Sequence, residues 1–106
     1  MSTSVYFRYL RLNKLQALTL QREIPGAESV ESGKGYYLAQ VPLRSENIDA
    51  INMYFVRQQI AINESDILIV ASEINKGEVV TAPSVVNHML KHINCPVSFA
   101  IAVDKQ

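Results

Sequence analysis

The chain is short of several things, and each shortage excludes a class. It has a single cysteine, Cys95, so no internal disulfide can form; that usage fits a reducing compartment. No window approaches the ~18–20 consecutive apolar residues that span a bilayer, so no transmembrane helix is expected. The opening Met-Ser-Thr-Ser lacks the basic start and apolar run of a secretory signal, and the expected location is cytoplasmic. Charge of one sign is also missing. Ten basic and ten acidic residues give a formal charge of zero, whereas nucleic-acid binders carry a basic stripe and a high pI. A strongly acidic nucleic-acid mimic is equally unsupported, leaving a protein partner, a small-molecule partner, or none. With 106 residues, 48% hydrophobic and 19% charged, the length and composition are those of one globular domain spanning 1–106.

The last forty residues are the most readable. Asp66 to Ser72 reads as a strand, Ser84 to Ile93 as an amphipathic helix, and Pro96 to Asp104 as a second strand. Two strands joined through a helix make a βαβ unit, which predicts that they are parallel, with a right-handed crossover in roughly 98% of cases. Val86, Met89, Leu90 and Ile93 form the helix's buried stripe. Along the closing strand Val97, Phe99, Ile101 and Val103 face one way and Ser98, Ala100 and Ala102 the other. That small-residue face suits close helix packing, with a homodimer through it as the alternative.

Earlier in the chain, Ser4 to Leu12 is strand-like and aromatic, with Val5, Phe7 and Tyr9 opposite Tyr6, Arg8 and Leu10. Asn13 is a helix N-cap, Leu15, Leu18 and Ala17 supply a core stripe, and Pro25-Gly26 ends the helix. The polar stretch Ala27 to Lys34 reads as a mobile loop. Gly35 to Leu43 is the next strand, at a sheet edge or terminated by Pro42. Ser45 opens a helix with two apolar stripes, Ile48/Ile51/Phe55 and Met53/Val56/Ile60, one for the sheet and one free for an interface. Asn75-Lys76-Gly77 is a turn, and Glu78 to Val80 either a short strand or a lead-in to the last helix. The element order is β-α-β-α-β-α-β. It predicts a two-layer α+β sandwich with a four-stranded mixed sheet and helices mainly on one face.

The chemistry-bearing residues are few. His88 and His92, four apart, share a helix face, but a metal site needs more ligands and the pair lacks the intervening glutamate of metalloproteases; a solvated face explains them. Cys95 becomes a nucleophile only with a lowered pKa, and a buried inert thiol is the plainer reading. Ser32-Gly33-Lys34-Gly35 leads into a strand rather than a helix N-terminus, so it is a turn and not a phosphate cradle. The carboxylate pairs Glu64/Asp66 and Glu73/Glu78 flank strand ends and read as solvated charge. No cofactor signature is present, and no metal or catalytic residue is expected. Arg8, Arg11 and Lys14 make a small basic group beside Tyr6 and Tyr9, and Tyr36, Leu38 and Tyr54 add amphipathic surface. Tyrosine and arginine are favoured interface anchors.

From Asp66 onward, the strand, the turn Asn75-Lys76-Gly77, the helix Pro83 to Ile93 and the closing strand resemble small bacterial ferredoxin-like proteins. Some of these are similar to immunity proteins that neutralise a toxin in contact-dependent competition. The resemblance implies a ferredoxin-like fold, or a relative with an added helix, and a non-enzymatic immunity or antitoxin-like protein that blocks a cognate toxin by steric occlusion. The residues expected to carry such a surface are Tyr6, Arg8, Arg11 and Tyr36. Two alternatives stand beside it. One is a homo-oligomeric regulatory domain binding a small molecule between subunits. The other is a small enzyme using His88, His92 or Cys95.

Overall fold

A computed structural model of the protein describes residues 1–102. Within them the chain folds as β1 (Ser2–Leu12), α1 (Lys14–Glu23), β2 (Glu28–Gly33), β3 (Tyr36–Pro42), α2 (Ile48–Arg57), β4 (Ser65–Ser72), α3 (Ser84–Leu90) and β5 (Val97–Ile101). The five strands form one mixed sheet in the order β2-β3-β1-β4-β5. β1 lies at its centre, antiparallel to both β3 and β4, while β5 runs parallel to β4 as the βαβ pattern predicts. The fold is α+β, but the expected four strands and their order are corrected. The extra strand is β2, which the polar stretch Ala27 to Lys34 forms in place of a loop.

The reason is visible in its burial. β2 is an edge strand, and all its side chains but Ser29 are exposed. Solvent on both faces removes the pressure for apolar alternation, so periodicity carries no signal there. Its ladder with β3 and the turn supply the order instead. Gly33, Lys34 and Gly35 take φ of +109°, +49° and +82°, a left-handed run that two glycines make cheap. β3 is consequently an internal strand, and Pro42 marks its end rather than a sheet edge. Glu78 to Val80 form no strand. The expected extension of the last strand through Val103 and Asp104 falls outside the described residues.

One face of the sheet carries the core. Phe7 and Tyr9 of β1, Ala39 and Val41 of β3, and Ile67 and Ile69 of β4 are fully buried. They pack in one cluster with Ala17 and Leu20 of α1, Ile48, Ile51 and Tyr54 of α2, and Val86 and Met89 of α3. All three helices therefore serve the same face. α1 starts on a capping box: Asn13 Oδ1 accepts from the Gln16 N–H at 2.8 Å, and Gln16 Oε1 accepts from the Asn13 N–H at 2.9 Å. Its core stripe keeps the expected Ala17 but not the two expected leucines. Ala17 and Leu20 point inward, with Ile24 just beyond the helix, while Leu15 and Leu18 are 74% and 51% exposed. Tertiary bonds select that phase. The Tyr54 hydroxyl donates to the Gln16 carbonyl at 2.7 Å, and Glu23 pairs with Arg57, tying α1 to α2 on one side only.

Tyr9 and Tyr54 form the middle of this core, with ring centroids 5.0 Å apart in an edge-to-face arrangement. Tyr9 donates to the Ile51 carbonyl at 3.0 Å, so each buried hydroxyl has an acceptor. Tyr54 is thus a core residue and not the surface ring expected from its amphipathic character. On α2 the stripe Ile48, Ile51 and Tyr54 is buried, whereas Met53 and Val56 are exposed.

Candidate functional site

Among the described residues no helix lies over the other face of the sheet. Strand alternation sends Tyr6, Arg8 and Leu10 of β1 to this side, opposite the buried Phe7 and Tyr9. Register then places their neighbours. Tyr6 lies beside Leu68 of β4, Arg8 lies between Asp66 of β4 and Gln40 of β3, and Leu68 lies beside Ser98 of β5. Leu38 and Val70 share the same side by parity. These residues are half-buried by one another, except Asp66, which is buried. The result is a largely apolar surface with one ion pair at its centre.

That ion pair corrects the expectation for Asp66. Arg8 forms a bidentate bridge to Asp66: Nε donates to Oδ1 at 2.7 Å and a second N–H donates to Oδ2. The Ser98 hydroxyl adds a bond to Oδ2 at 3.3 Å. Asp66 is only 5% exposed, so it is not a solvated strand-end charge but a buried carboxylate held by Arg8. Hydrogen bonding to Asp66 in turn raises the Arg8 pKa, so the guanidinium is charged throughout the accessible range. A clue was available in the sequence: an aspartate opening an unbroken apolar strand needs a cation on the neighbouring strand. What sequence could not supply was the β1–β4 register.

The remaining pair of expected anchors meets at the hairpin end of the same face. Between Tyr9↔Ala39 and Leu12↔Tyr37 the β1–β3 register slips, so Leu10 and Arg11 together oppose Leu38. This bulge returns Leu12 to the core, where it is fully buried, and leaves Arg11 on the open side. Its guanidinium sits over the Tyr36 ring, 4.1 Å from the centroid. Leu10, Arg11, Ser32, Gly33, Lys34 and Tyr36 line a shallow hollow of about 530 Å³ there. Arg11 and Lys34 form no ion pair with any described residue. Tyr6, Arg8, Arg11 and Tyr36 are therefore brought onto one face. Arg8 differs from the others in being engaged within the fold.

The small residues of β5 also belong here. Ser98 and Ala100 lie beside Leu68 and Val70 on the open side, so no helix packs against them, contrary to the expectation of close helix packing. Parity puts Phe99 and Ile101 on the helix side, yet they are 59% and 67% exposed because the core does not extend over the end of β5.

Of the residues considered for catalysis, the two histidines lie away from this face, while Cys95 is buried beside Ser65 and Asp66 at the start of β4. His88 and His92 are solvent-exposed, on α3 and in the turn after it. Among the described residues no three His, Cys, Asp or Glu side chains are grouped as a metal site would require. Cys95 is a buried free thiol, and burial pushes its pKa up to about 11. A nucleophilic cysteine needs the opposite shift. No described helix is long and apolar enough to cross a membrane.

In comparisons with known proteins, no family model, curated protein or solved structure matches the chain.

Proposed function

We propose that this protein is a non-enzymatic binding module whose working surface is the open face of its sheet. The observation that carries the reading is the uncovered row of Tyr6, Leu68, Leu10 and Leu38, flanked by an Arg11–Tyr36 pair with no other engagement. Contiguous apolar surface rimmed by polar groups is the usual mark of a protein contact. Tyrosine and arginine anchor such contacts because they bring large area at low entropic cost. In this reading Tyr6, Arg11 and Tyr36 touch the partner directly, and Arg8 contributes through the bridge in which it and Asp66 neutralise each other. A rigid sheet face acts by occlusion: it covers a partner's working surface without chemistry of its own. An immunity or antitoxin-like role in the cytoplasm, with a cognate toxin as partner, is the specific form of this proposal.

The test is affinity capture with tagged protein in its own host, read by mass spectrometry. The expected result is one stoichiometric partner of another kind, retained by a Lys91→Ala variant on α3 and lost when Arg11 and Tyr36 are both replaced by alanine. Recovery of the bait alone under gentle conditions, or a partner indifferent to the double replacement, would overturn the reading.

A further inference from the structure

The two edges of the sheet are built differently. β2 carries Glu28 and Glu31 along its length, the kind of charge that protects a strand edge from pairing with another chain. β5 carries nothing of the sort. Val-Ser-Phe-Ala-Ile has no charge and no proline, and it pairs with β4 in unbroken register. Its outward-facing apolar side chains, Phe99 and Ile101, are more than half exposed. With Ala71, Val80 and Ala100 they line an apolar hollow of about 330 Å³ at this end of the sheet.

The hydrogen bonds to β4 decide which backbone groups of β5 are free. The Ile67 N–H donates to the Pro96 carbonyl at 2.9 Å, and the Ala102 N–H donates to the Ala71 carbonyl at 2.8 Å. In a parallel ladder alternate residues bond to the neighbour, so the even-numbered residues of β5 are engaged with β4. Val97, Phe99 and Ile101 turn their N–H and C=O groups to the outer edge, where no described strand pairs with them. Phe99 is also the middle residue of the strand.

We infer that β5 pairs with β5 of a second copy, antiparallel, about a two-fold axis at Phe99. That register makes Phe99 and Phe99 of the second copy a hydrogen-bonded pair and sets Val97 against Ile101 on either side. Every outward N–H and C=O of the strand then has a partner. The choice of a second copy over a foreign strand rests on this self-complementarity: the free groups are symmetric about Phe99, and with no charge on β5 nothing repels its own image. The two Phe99 rings fall on the same side of the continuous sheet, where cross-strand aromatic pairs are favoured. Both unguarded edges are used up, and only the glutamate-bearing β2 edges remain. Assembly therefore stops at a dimer with a ten-stranded sheet. The contact is confined to one five-residue strand on each copy, so the association is weak and follows protein concentration. The inference is independent of the open-face reading, since the β5 edge and the open face are different surfaces. It adds that two open faces would lie side by side.

Sedimentation equilibrium of the full chain, from about 1 µM to about 500 µM, reads the association by mass action. The expected mass rises from 11.9 kDa toward twice that value. Phe99→Lys, at a site exposed enough to spare the fold, holds the protein monomeric throughout, while Leu68→Lys on the open face still dimerises. Amide exchange supplies a readout that does not depend on a variant. Protection of the Val97, Phe99 and Ile101 amides rises with protein concentration, and that of the β2 amides does not. A monomer at every concentration, a dimer broken by Leu68→Lys but not by Phe99→Lys, or β5 amides indifferent to concentration would each overturn the inference.

Discussion

Removing the Arg8 guanidinium is the sharpest test of how the open face is held together. Asp66 is 5% exposed and receives its charge compensation from Arg8, with a single longer bond from Ser98 besides. Arg8→Ala leaves that carboxylate buried with one weak donor. Breaking a buried pair by deleting one partner costs about 3–5 kcal/mol, and the surviving Ser98 bond puts the expectation at the lower end, about 3 kcal/mol. A domain of this size is stable by roughly 5–15 kcal/mol, so the loss is a large share of the total. Asp66→Asn acts differently. The Arg8 side chain retains 23% exposure, and its freed guanidinium can reach water along its own stem. That variant should cost about 1–2 kcal/mol. Replacing both at once, as Arg8→Met with Asp66→Leu, removes both charges from the site and should be near neutral. Urea unfolding followed by circular dichroism measures all three, because the chain has no tryptophan to report by fluorescence. With a slope of about 1–3 kcal/mol per molar urea, Arg8→Ala lowers the midpoint by roughly 1–3 M. A loss under about 1 kcal/mol for Arg8→Ala would refute the argument, as would equal losses for the two single variants. The asymmetry also bears on binding experiments: Arg8→Ala perturbs the fold, so Arg11 and Tyr36 are the cleaner probes of the face.

The buried acids predict alkaline sensitivity. Burial raises the Cys95 thiol to about 11 and the Tyr54 phenol to about 12, and raises Tyr9 further still. Each binds its proton more tightly folded than unfolded, so its contribution is complete below the unfolded value and fades as pH rises toward the folded one. Stability should be level up to about 7.5, begin to fall as an unfolded thiol ionises at about 8.5, and fall more steeply through about 10, where unfolded tyrosines follow. Urea midpoints across this range check it; Cys95→Ala should remove the earliest part of the decline, and a flat profile would count against the burial assigned to these groups. Tyr54→Phe deletes the 2.7 Å bond that ties α2 to the Gln16 carbonyl, and Tyr9→Phe the 3.0 Å bond to Ile51. Each should cost about 1–2 kcal/mol by thermal or urea unfolding. Because the rings touch, the double variant should depart from the sum.

Much of this molecule was legible before any coordinates. Alternation along Val5 to Leu10 separates the buried Phe7 and Tyr9 from the open-face Tyr6 and Arg8, because in a strand each side chain's face follows from its position alone. The same local logic found the Asn13 cap, the end of α1 near Gly26, the buried stripe of α3 and the parallel relation of β4 to β5. Those features depend on residues close in the chain, where spacing and backbone preference act directly. The rest depended on neighbours from far along it. β2 carries no apolar alternation because it lies at an edge with both faces wet, and its order comes from pairing with β3. Ala17 is buried as expected, but Leu15 and Leu18 lost the core to Leu20 because Tyr54 and Arg57 of another helix set the rotation of α1. Tyr54 is buried rather than exposed for the same reason. The site divides along that line too. Periodicity placed Tyr6 and Arg8 on a common side, but the β1 bulge that brings Arg11 over Tyr36 and the register that seats Asp66 against Arg8 are long-range pairings. A strand's own sequence sets which way its side chains point; which residues they meet is set by strands dozens of positions away.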